Sequence, residues 1–144
     1  MTSKAELITQ AIVTALTAPA MTSVSAARVF RDLHGALQAE LLPAVAVETG
    51  DEDTPDRRTM RHKLRYLDVN VTVVAKGASP FSEADAALVE SFGRLMADRT
   101  LGGLALELQE GPTRRERGQA EEQLGAITKT YRIQYHTTEE SLES

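Results

Sequence analysis

Leu67, Val69, Val71, Val73 and Ala75 alternate strictly with Asp68, Asn70, Thr72, Val74 and Lys76. A period of two with one apolar face demands a long strand that is buried on one side and half-solvated on the other. That is the habit of an antiparallel sheet with one covered face. The apolar face must be covered, and two segments carry the helical period that could do it. In the first, Ser3 followed by Glu6 reads as a capping box, and Ile8, Ala11, Ile12, Ala15 and Leu16 share one face before Pro19 ends the ladder. In the second, Gly77-Ala78-Ser79-Pro80 closes the strand, with Ser79 or Ser82 as N-cap. Ala84, Ala87, Leu88, Ser91, Phe92, Leu95 and Met96 then line one face. Gly102 and Gly103 stand where a helix C-terminus favours a left-handed residue.

Four further strands are expected: residues 28–33, residues 41–47 with Pro43 at a start or an edge, residues 104–108, and residues 127–136. Residues 50–56 read as an exposed acidic loop, residues 111–123 as a polar loop, and residues 137–144 as a mobile acidic tail. The order α-β-β-β-α-β-β predicts an α+β fold, a two-layer sandwich with a mostly antiparallel sheet and both helices on one face. With 144 residues the chain is the size of one ordinary domain. The expected division is a single domain over 1–136, bearing a charged hairpin arm around 48–65, followed by the tail.

Composition removes several chemistries. The absence of cysteine excludes disulfides, thiolate catalysis and thiolate zinc sites. A formal net charge of −5 argues against sequence-independent DNA binding, and aromatics at 4% with no tryptophan supply few stacking platforms. No apolar run reaches the roughly 18 residues that a membrane span requires, and no basic-then-apolar leader opens the chain.

A search for reactive groups returns little. His34, His62 and His136 are scattered without ligand spacing, no HExxH or GxSxG occurs, and Gly102-Gly103 lacks the Lys-Ser/Thr of a phosphate loop. Asp51, Glu52, Asp53 and Asp56 lack the glycine and distal glutamate of an EF-hand, so they read as solvated loop charge. The expectation is no catalytic residue, no metal and no cofactor.

Charge order is the exception. Glu40, Glu48, Asp51, Glu52, Asp53 and Asp56 are followed at once by Arg57, Arg58, Arg61, Lys63 and Arg65, with no mixing of sign. Three readings stand: a loop whose halves neutralise one another, phosphate binding opposed by the neighbouring acids, or a head-to-tail contact between copies. The third makes Asp51, Glu52, Asp53, Arg57, Arg58, Arg61, Lys63 and Arg65 candidate interface residues.

Three junctions also resemble a known family. They are residues 42–47 before the Gly50-Asp51-Glu52 turn, residues 67–77, and residues 96–105, where Asp98-Arg99-Thr100-Leu101-Gly102-Gly103-Leu104 steps from a helix into a strand. Together with the order of elements over nearly the whole chain, they resemble the tail terminator (tail completion) proteins of long-tailed bacteriophages. The basic run at 57–65 and the acidic tail have no counterpart in that pattern. The resemblance implies a non-enzymatic virion protein. It would form a hexameric ring on the last ring of the tail tube, end tube growth and present a surface to the head/neck connector. The implied partners are further copies of itself, the tail tube protein and the connector, with DNA only as passing cargo in the lumen and no membrane. The implied location is the tail/neck junction, after assembly in the host cytoplasm. Alternatives are another head–neck or tail-ring component, a small ligand-binding or enzymatic α+β domain, or a nucleic-acid-binding regulator.

Overall fold

The computed structural model describes residues 2–31, 42–54, 58–59, 62–119, 123–138 and 140–143. Helix α1 (Lys4–Thr17) is followed by a 3-10 turn (Ala26–Arg28), β1 (Val29–Arg31), β2 (Ala44–Asp53), β3 (Arg58–Thr59) and β4 (His62–Lys76). Helix α2 (Pro80–Ala97), β5 (Glu107–Gln119) and β6 (Gln123–Thr138) complete the chain. The sheet order is β1-β2-β4-β6-β5, with the short β3 pairing on β4. Among the described residues, β1–β2 is the one parallel pair. The fold is the expected α+β sandwich, with β3 as an added element.

One side of the sheet is the core. Val45 and Val47 of β2, the alternating Leu67–Ala75 series of β4, and Ile127, Tyr131, Ile133 and Tyr135 of β6 are all buried on it. They pack under Ile8, Ile12 and Leu16 of α1 and Ala84, Ala87 and Leu95 of α2, with Leu88, Phe92 and Met96 half-buried at the margin.

The helix termini follow their sequence signals in part. Ser3 Oγ accepts the Glu6 N–H at 3.1 Å, but the Glu6 carboxylate takes a bidentate bond from Arg31 instead of completing a capping box. That pair holds Glu6 below the usual carboxylate range, Arg31 being the main cause. Pro80 occupies the first turn of α2 as expected. The glycine pair is not the cap of α2. The helix ends at Ala97, and Gly102 and Gly103, both at positive φ, lie in a following turn. The Asp98 carboxylate organises that turn by accepting from Thr100 Oγ1 and Gly102 N.

The segment between α1 and β1 is clamped to α2. The Glu90 carboxylate accepts from Thr22 N at 2.9 Å, Ser23 N at 3.0 Å and Ser23 Oγ at 2.7 Å, while Arg94 donates to the carbonyls of Ala15, Pro19 and Ala20. Those donors, led by the Ser23 hydroxyl, pull the Glu90 pKa down to about 2.

Several expected boundaries differ, and residues 104–106 precede β5, which begins at Glu107. Residues 50–53 are not loop but the distal end of β2, paired through Glu52↔Leu67 and Asp53↔Tyr66. Residues 111–119 are not loop but most of β5, paired with β6 as far as Gln119↔Gln123. Both segments escape a pattern search because their side chains are largely exposed and show no buried period. The tail begins later than residue 137. Thr137 is buried within β6, and the Leu142 carbonyl accepts the Lys4 N–H at 2.7 Å. Residues 32–33, which end the expected first strand, lie outside the described residues.

Candidate functional site

Two glycines set the geometry of the charged region. Each flanking strand of the β4–β6 pair carries one extra residue. The first lies between Thr49 and Glu52 on β2, the second between Glu110 and Thr113 on β5. These are β-bulges, and they flank one row of the sheet, Thr49–Val69–Tyr131–Glu110, from opposite sides. Gly50 and Gly111 occupy them for lack of room. A Cβ at Gly50 would stand 3.0 Å from the Asp68 carbonyl oxygen, and one at Gly111 only 2.6 Å from that of Thr130. Between them lies a shallow polar depression of about 410 Å³ on the face opposite the helices. Asn70, Thr130, Asp68 and Arg132 form its floor, and Thr130 Oγ1 bonds Asn70 Oδ1 at 2.7 Å.

The β2 bulge also decides where each acid points, because one extra residue reverses the phase of every side chain beyond it. Glu52 turns to the helix-covered face and accepts the Tyr135 hydroxyl proton in a hydrogen bond. Asp53 lies on the other face near Arg132, 3.7 Å away. The Arg132 guanidinium also reaches Asp68 at 3.5 Å and stacks 4.6 Å above the Tyr66 ring. Glu52 and Asp53 therefore lie on opposite faces of the sheet. Among the described residues, no three His, Asp or Glu side chains gather as metal ligands.

The candidate interface residues occupy neighbouring strands of one arm. Asp51, Glu52 and Asp53 are on β2; Arg58 is on β3, its backbone paired with Lys63 of β4, and Arg65 is two residues further along. Arg65 Nε donates to Thr137 Oγ1 at 2.7 Å. Arg57, Arg61, Asp56 and His34 lie outside the described residues. The bonds shown for Glu52 and Asp53 come from β6, through Tyr135 and Arg132, not from the basic run. The histidines are less scattered than their spacing suggests. His62 and His136 stack at 6.1 Å between ring centroids on adjacent strands.

A second surface carries no sequence signal at all. Leu88, Val89 and Phe92 of α2 face Glu110 and Thr113 of β5 across Lys129, lining an apolar groove of about 220 Å³. Lys129 occupies a core-facing position of β6, with its side chain 9% exposed. Its ammonium donates to Glu110 at 2.5 Å and Thr113 at 3.0 Å and lies 5.8 Å from the Phe92 ring centre. Beside it the Tyr131 hydroxyl is buried with no hydrogen-bond partner among the described residues. Burial first, and the Glu110 charge second, push its pKa upward. Val89 is 62% exposed and continues the apolar wall formed by the half-buried Leu88 and Phe92.

No family model matches the sequence, and no curated protein is similar to it. The fold does have a counterpart among solved structures. A chain in a structure of the virion of a native gene transfer agent particle superposes with a TM-score of 0.57 at 15% identity, covering 90% of this chain and 94% of that one. At that identity the likeness is one of fold.

Proposed function

We propose that this chain is a structural, non-enzymatic component of a phage-like virion. In this reading it caps the tail tube as a ring, hexameric in the family it resembles, ends tube polymerisation and offers a docking surface to the head/neck connector. One observation carries the reading: nearly the whole fold is shared with a chain of a gene transfer agent virion. The sequence resemblance to tail terminator proteins points the same way and supplies the finer role. The surface chemistry is compatible with assembly work. β2 and β4 pair antiparallel and carry Asp51, Glu52, Asp53, Lys63 and Arg65, and the sheet face opposite the helices offers polar side chains and a shallow depression.

In this reading Asp51, Glu52, Asp53, Arg57, Arg58, Arg61, Lys63 and Arg65 belong to the surface that meets a neighbouring copy or the tube. A rim ion pair is worth only ~0–1 kcal/mol, so these charges would set register and partner choice, while apolar contacts would hold the ring. The test is in vitro polymerisation of the tail tube protein from the same particle, with and without this chain. Tubes that stop growing and carry a terminal ring support the proposal; tubes of unchanged length with bare ends refute it.

A further inference from the structure

The ring reading needs an apolar contact, and the structure presents two exposed apolar features on separate surfaces. One is the groove between α2 and β5, walled by Leu88, Val89 and Phe92 and floored by Lys129. The other is Leu142, 53% exposed, whose backbone is tied to the N-terminus of α1 through the 2.7 Å bond from Lys4 N to its carbonyl. The tie holds the main chain at this point while about half of the residue stays accessible.

Charge matches the two features. Leu142 sits in the run Glu139-Glu140-Ser141-Leu142-Glu143, and no lysine or arginine follows Arg132 in the chain. Around the groove Lys129 is already paired with Glu110, and Arg115 and Arg117 of β5 project on the same side of the sheet, with Asp85 of α2 beside Arg115. Arg117 lies 5.1 Å over the Phe81 ring. Three cations thus stand against two carboxylates on this wall, and an acidic segment would meet a positive balance.

We propose that Leu142 of one copy inserts into the Leu88–Val89–Phe92 groove of the next, its flanking glutamates meeting Arg115 and Arg117. Leu142 and the groove are different patches of one chain, so the contact is heterologous and repeats around a ring or along a filament instead of closing a two-fold dimer. The proposal rests on the ring reading above and names the apolar contact that the reading lacks.

A chain without cysteine makes the test clean. Val89→Cys and Leu142→Cys are prepared as single variants of the full chain, mixed, and oxidised with a mild disulfide-forming reagent. Each variant alone is the control, and native mass is read in parallel. The proposal expects a covalent dimer in the mixture and little in either variant alone, and Leu142→Asp should weaken self-association at least about tenfold. Arg115→Glu with Arg117→Glu should weaken it in a salt-dependent manner. A ring that assembles without a mixed disulfide, or with Leu142→Asp carrying no penalty, overturns the proposal and leaves the ring reading intact. A disulfide in Val89→Cys alone means a two-fold contact and overturns the head-to-tail arrangement. A chain that stays monomeric at every concentration overturns both.

Discussion

Replacing Gly111 by alanine tests the twin-bulge geometry through a distance. The added methyl would stand 2.6 Å from the Thr130 carbonyl oxygen and 3.2 Å from its carbon, where ordinary contact begins near 3.4 Å. The obstacle is backbone, so no rotamer change relieves it. Either β5 moves off β6 by about 1 Å or the overlap remains, and overpacking of this kind costs roughly 1–3 kcal/mol. Gly118 on the same strand is the control. Its nearest heavy atom would be Leu124 Cβ at 3.8 Å, so alanine fits there and gains roughly 0.5–1 kcal/mol through backbone entropy. Gly50, at 3.0 Å from the Asp68 carbonyl, falls between. The expected order of stability is Gly118→Ala, then Gly50→Ala, then Gly111→Ala. The first and last should differ by about 3–10 °C in Tm for a domain of this size. Thermal and urea unfolding of the three variants reads it. Equal stability of Gly111→Ala and Gly118→Ala would refute the close approach of β5 to β6 at the bulge.

Three further outcomes are expected. The Glu90 pKa is depressed in the fold, so its contribution is fully present above the unfolded value of 4.5 and is lost as pH falls toward about 2. Glu90→Gln should therefore lower Tm at neutral pH by a few degrees, with the gap to the parent closing between those limits; a gap independent of pH contradicts the clamp. Val71→Asp places a carboxylate at a position 1% exposed beneath the helices and should cost several kcal/mol, read as loss of soluble expression or of the cooperative melt. Self-association should weaken as salt rises from roughly 50 to 500 mM, because the paired charges are screened; sedimentation showing no salt dependence would place the interface elsewhere.

The parts of the fold that the sequence foretold are those in which a periodic side-chain face meets the core. The Ile8–Ile12–Leu16 stripe, the Ala84–Ala87–Leu95 stripe and the alternation of β4 each bury one face, and each is visible as a period. The distal half of β5 is invisible for the opposite reason. Residues 112–118 are exposed, Pro112 breaks any strand pattern, and the segment is held through backbone pairing to β6. The sequence carries β6 through Lys129 but does not say what holds a lysine at a core-facing position; Glu110 and Thr113 do. In the charged arm the adjacency of acids and bases followed from their order in the chain. Their partners did not, because a single inserted residue at Gly50 sends Glu52 to Tyr135 and Asp53 toward Arg132. The groove beside Val89 had no signal, since it joins α2 to a part of β5 that the sequence reads as loop.

The central claim is a place in a particle, and locating the chain in one tests it most directly. Intact virions bearing an epitope-tagged copy of this chain, labelled with antibody-coated gold and imaged by electron microscopy, should show label at one level only, where the tail tube meets the head. Label spread along the tube, confined to the head shell, or absent from particles that still assemble with normal tails would contradict the account.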